Sequence, residues 1–129
     1  MKTPQLWMIT LATLALSACQ TTPNSPTQAL GVLEHIEDIQ VHPSTQSNSI
    51  QLVKAKDHCA IEFAAKLNAG TASEKWLFKG NALMAASNQV ITTEGATLGE
   101  KFDLYDPSVQ RNFVALKSHF KKETVNACQ

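Results

Sequence analysis

The side chains able to do chemistry are three cysteines, four histidines and a scatter of carboxylates and hydroxyls. A thiol can carry a modification, close a disulfide, hold a metal or attack as a thiolate. Cys19, Cys59 and Cys128 do not form a C-x-x-C motif. His35, His42, His58 and His119 stand at spacings that match no common zinc pattern, although His58 abuts Cys59. The paired acids Glu37-Asp38 and Asp103 with Asp106 would do acid–base work only if buried, and here they read as polar surface and a helix cap. Ser44, Ser47 and Ser49 have no evident base or orienting acid. No glycine-rich phosphate loop, Gly-x-Ser-x-Gly elbow, His-Glu-x-x-His pair or EF-hand loop occurs. The expectation is a chain that is not an enzyme, with no cofactor and no metal.

Cys19 has a context of its own. Met1 to Gln5 carries one positive charge, Lys2, and Leu6 to Leu16 (LWMITLATLAL) is apolar throughout. That is the layout of a secretory signal. A spanning helix needs roughly 20 apolar residues, and this run offers about half as many before it turns polar. Leu16-Ser17-Ala18-Cys19 resembles the lipobox of bacterial lipoproteins: an aliphatic residue, two small ones, then cysteine. The resemblance implies cleavage after residue 18 and acylation of Cys19. Several acyl chains, at about 0.8 kcal/mol per buried methylene, exceed what stable anchoring requires. In lipoproteins of this type an aspartate after the cysteine is the usual signal for inner-membrane retention; Gln20 stands there instead, so the resemblance implies the periplasmic face of the outer membrane.

With Cys19 lipidated, Cys59 and Cys128 remain as an even pair in an oxidising compartment and are expected to be joined. Removing 1–18 leaves about 110 residues, enough for one domain with a modest core. Acidic and basic residues balance at 11 each, so nothing recruits nucleic acid. The segment after Cys19, QTTPNSPTQ, is uncharged and rich in Thr, Ser, Asn and Pro. It reads as a tether, giving a division into signal (1–18), lipidated N-terminus and tether (19–48) and compact domain (49–129).

Placing these residues requires elements. Leu30, Leu33, Ile36 and Ile39 approximate one helical face, while Ile39 and Val41 alternate, so 29–41 is a helix or an edge element. Ile50 to Ala55 reads as a strand. From Asp57 the pattern is double. Ala60, Phe63, Ala64 and Leu67 fit a helix stopped by Gly70, and Cys59, Ile61 and Phe63 fit a strand; the abundance of alanine favours helix. Thr71-Ala72-Ser73-Glu74 matches a capping box and predicts a short helix through Lys79, in competition with a hairpin pairing Trp76–Phe78 with Ala82–Met84 around Gly80-Asn81. Ala82–Ala86 and Gln89–Thr93 supply strands under the first reading. Asp106 as cap, Pro107 in the first turn and Val109, Phe113, Leu116 and Phe120 at four, three and four residues predict a long C-terminal helix with one apolar stripe. Arg111, Lys117, Lys121 and Lys122 lie mostly off that stripe.

Together these predict a small α+β domain: a short antiparallel or mixed sheet, a long C-terminal helix and one disulfide. Trp76, Phe102 and Tyr105 are the aromatic candidates for an interface, because an exposed GEKFDLYDP loop (Gly99 to Pro107) would present the last two to a partner. The strand, cysteine and helix order before Gly80-Asn81-Ala82-Leu83-Met84-Ala85 resembles the stress-sensing lipoprotein family of RcsF. Size, tether and single bridge resemble the secretion pilotins. The functional expectation is a non-catalytic binding or assembly factor, held to the membrane by its lipid and partnered by another envelope protein. Its rival is an envelope sensor or small-ligand binder.

Overall fold

The computed structural model describes residues 29–41 and 44–129. The signal run, the Leu16–Cys19 tetrad and His42 lie outside the described residues. Six strands form one antiparallel sheet in sequence order: β1 (Ala29–Glu37), β2 (Ser47–Ala55), β3 (Cys59–Leu67), β4 (Gly70–Lys79), β5 (Ala82–Thr92) and β6 (Thr97–Lys101). Two short helices follow, α1 (Pro107–Lys117) and α2 (Lys122–Asn126).

This corrects the α+β expectation of a short sheet and a long C-terminal helix. Strand makes up 53% and helix 16% of the described residues. The reading of 57–69 as a helix is overturned, since Cys59–Leu67 is a strand paired on both sides, Ile61 to Leu52 in β2 and to Trp76 in β4. Alanine's helix preference amounts to tenths of a kcal/mol per residue, which is small beside burying Cys59, Ile61 and Trp76 on one face. The capping box falls inside β4. Thr71 and Ser73 point to one side of the sheet and Glu74 and Trp76 to the other, so no helix starts there. The hairpin reading of 76–84 describes the molecule. Lys79 pairs with Ala82 and Phe78 with Leu83 around a turn in which Gly80 has φ +58°. Ala82–Ala86 and Gln89–Thr93 belong to one continuous strand through Thr92. The segment 29–37 is the edge strand β1, so the sheet begins inside the stretch read as tether. The C-terminal helix ends at Lys117, and Phe120 packs from the turn that follows.

One face of the sheet carries the core. Its rows are set by the register: Ile36, Ile50, Phe63, Glu74 and Asn88; then Leu52, Ile61, Trp76 and Ala86; then Lys54, Cys59, Phe78 and Leu83. Onto these α1 lays Val109 and Phe113, with the Phe113 ring edge-on to Phe78 at 5.2 Å between centroids. Asp106 caps α1 by accepting bonds from the Ser108 amide and hydroxyl, both 2.8 Å. Lys117 lies over the Phe113 ring, its Nζ 4.8 Å from the centroid, and donates to Asn81 Oδ1 at 3.2 Å. Cys59 and Cys128 are joined, tying the chain's end to β3. Near that bridge the Gly80 amide donates to Cys128 O at 2.7 Å and Lys54 Nζ to Ala127 O at 2.8 Å. The opposite face carries an apolar row of Val32, Val53, Ala60, Leu77 and Ala85, and beyond it polar side chains, among them Ser49, Gln51, Glu62, Ser73, Lys75 and Gln89, over a shallow depression.

Candidate functional site

The site is a cleft of about 430 Å³ at the end of the core face remote from the disulfide. Its floor is β3 and β4, which place Phe63, Ala65, Leu67, Ala72, Glu74 and Trp76 on the same side of the sheet by the two-residue period of a strand. Its roof is the flank of α1, where Asn112, Ala115 and Leu116 recur at helical spacing, and His119 just beyond. The connection from β1 to β2 closes one wall with Gln40, Val41 and Thr45. That wall is held by a side chain acting as backbone. Asn48 accepts from the Ile39 amide at 2.8 Å and donates to Ile39 O at 2.9 Å and Thr45 Oγ1 at 2.9 Å.

Glu74 is the chemical centre of the cleft. It sits between Phe63 and Asn88 in its cross-strand row, and its Oε2 accepts a 3.0 Å bond from the indole Nε1 of Trp76. Burial raises the Glu74 pKa above its ordinary value, and the indole bond partly offsets this by favouring the charged form. Among the described residues no cation lies within ion-pair distance of the carboxylate, the single ion pair there being His35 with Glu37 at 3.6 Å. His119 lines the same cleft and is exposed. Oε1 accepts no hydrogen bond from the described residues and is reached by solvent.

The interface candidates separate here. Trp76 is buried, at 2% exposure, and forms part of the cleft floor. Phe102 is half-buried and packs against it, with ring centroids 5.2 Å apart and the ring planes tilted by 39°. Tyr105 is 94% exposed and takes no part in the cleft. The GEKFDLYDP stretch is an exposed loop only in part, since Gly99–Lys101 completes β6 and Phe102 turns inward.

No protein family matches this chain, and neither a curated protein nor a solved structure does. Among the described residues no group of three His, Cys, Asp or Glu side chains is placed to hold a metal. The hydrogen-bonded serine hydroxyls are those of Ser108, to Asp106, and Ser118, to Ala115 O, and neither is held by a histidine. A half-buried carboxylate on an apolar floor offers a ligand orientation and charge. Sequence reasoning missed Glu74 by assigning it to a helix cap. The available signal was its two-residue spacing from Trp76, which on a strand puts a carboxylate on the core face.

Proposed function

We propose that this protein is a non-catalytic binding or assembly factor of the bacterial envelope, anchored to the periplasmic face of the outer membrane by lipid on Cys19. In this reading it docks another envelope protein through the cleft between α1 and the sheet. The observation that carries the docking half is Glu74. A carboxylate half-buried beside Phe63 and Trp76, with no cation of the described residues within ion-pair distance, costs stability where it stands and is open to an outside partner. The anchoring half rests on the lipobox-like tetrad Leu16–Cys19 behind an apolar run. Among the described residues no helix is long and apolar enough to cross a membrane, so attachment through a lipid is consistent with them.

The test uses photo-crosslinking amino acids placed at Asn112, on the cleft rim, and at Gln89, on the opposite face, in intact cells. One envelope protein captured from Asn112 and not from Gln89, and diminished by Cys19→Ala, is the expected outcome. Capture from Gln89 alone would move the docking surface to the other face. Labelling with radioactive palmitate, lost in Cys19→Ala, checks the anchor separately.

A further inference from the structure

We propose that the cleft recognises a lysine side chain presented by an apolar segment of the partner, its ammonium meeting Glu74 and its stem lying along Phe63, Leu67 and Leu116. This rests on the docking reading above and names what is docked. Four observations carry it. First, no cation of the described residues lies within ion-pair distance of Glu74. Second, its two oxygens are unequally engaged among the described residues. Oε2 is engaged by the Trp76 indole while Oε1 remains open. One oxygen wholly open beside one already bonded suits an ammonium, which is a compact point charge, better than a guanidinium, whose planar fork is best satisfied by two equally open oxygens. Third, Phe63, Leu67 and Leu116 are apolar and half-exposed, a surface that an aliphatic stem covers while its charged head reaches the carboxylate. Fourth, the cleft lies within the size range of sites that enclose small groups, and its roof and floor are both regular elements.

The test is calorimetric titration of the full chain, held in phosphatidylcholine nanodiscs, with the peptide acetyl-Ala-Leu-Lys-Leu-Ala-amide. Versions carrying norleucine or arginine in place of the lysine remove the charge or change its shape. The lysine peptide is expected to bind roughly tenfold more tightly than the norleucine peptide, the scale of a partly desolvated ion pair, and more tightly than the arginine peptide. Glu74→Gln keeps an oxygen for the Trp76 indole and is expected to erase the difference between lysine and norleucine. Glu100→Gln, on the exposed strand β6, is expected to preserve it. Equal binding of the lysine and norleucine peptides, persistence of their difference in Glu74→Gln, or no binding of any peptide overturns the inference. If crosslinking from Asn112 still captures an envelope protein in those cases, docking stands and only the lysine assignment falls. If the lysine peptide binds as expected while crosslinking captures nothing, the recognition chemistry stands and the envelope-protein reading falls.

Discussion

Glu74 makes a prediction that can be read without a partner. Burial raises its pKa above the ordinary 4.5, so the native chain holds this proton to higher pH than the unfolded chain does. Stability linked to it is therefore fully present below the unfolded value and declines as pH rises through the folded one. Glu74→Gln is expected to be more stable than the parent at neutral pH, and the gain should vanish on acidification below about pH 4. Urea unfolding at several pH values measures this, and a gain that stays constant with pH would contradict it. Phe78 tests the core. It is fully buried under Phe113, and Phe78→Ala should cost about 3–5 kcal/mol in the same experiment. Both residues are visible in the sequence as a carboxylate and an aromatic. Their burial was not, because it depends on which of two periods the stretch from Gly70 to Lys79 obeys.

Turns and caps decide the elements, and they can be tested separately. Gly70 opens β4 at φ +143°, and a Cβ there would stand 2.0 Å from Ile91 O of the neighbouring strand. Gly80, in the next turn at φ +58°, has no atom nearer than 3.8 Å to such a Cβ. Gly80→Ala should thus cost only the left-handed penalty of about 1–2 kcal/mol. Gly70→Ala adds backbone displacement and should cost on the order of 3 kcal/mol or more. Thermal melts of the two variants rank them, and equal losses would mean the β4–β5 pairing yields easily. At the other end of the chain, hydrogen bonds from the Ser108 amide and hydroxyl, with Arg111 nearby, lower the pKa of the Asp106 cap. Its contribution is present above the unfolded pKa and lost as pH falls through the folded one. Asp106→Ala should lower the melting temperature at neutral pH and matter progressively less in acid. This cap was legible from Asp106-Pro107 alone because its partner lies two residues away. The strands of 59–79 were not, because what favours them sits in β2 and β5.

At the scale of the molecule, an open six-stranded meander with a helical layer on one face has its last element furthest in sequence from the strands it must cover. The Cys59–Cys128 bond compensates, closing a separation of 69 residues and so restricting the unfolded chain by about 4 kcal/mol in the loop-entropy account. Replacing both cysteines by serine should lower the unfolding free energy by that order in urea. A second consequence is spatial. The bridge pins α2 near the β4–β5 turn and Lys117, the last residue of α1, reaches the same turn, whereas Ser118 and His119 lie in the exposed connection between the two helices, where no covalent link holds the chain to the sheet. Hydrogen exchange should therefore find amides near Ser118 and His119 less protected than those of Trp76 and Phe78 in β4.

What the sequence determined by itself was local or countable. The lipobox-like tetrad, the lack of catalytic motifs, the pairing of two cysteines, the Gly80-Asn81 hairpin as one of two choices and the Asp106 cap each depend on residues that are neighbours or few in number. The tertiary structure decided the architecture and the site. Cys59–Leu67 satisfies helical and strand periods at once, and only strands on both sides made the strand the lower in free energy by burying Ile61 and supplying every backbone partner. The cleft follows from that choice, because Glu74 and Trp76 share a face only in an extended chain and meet α1 only once the disulfide and Phe113 have seated it.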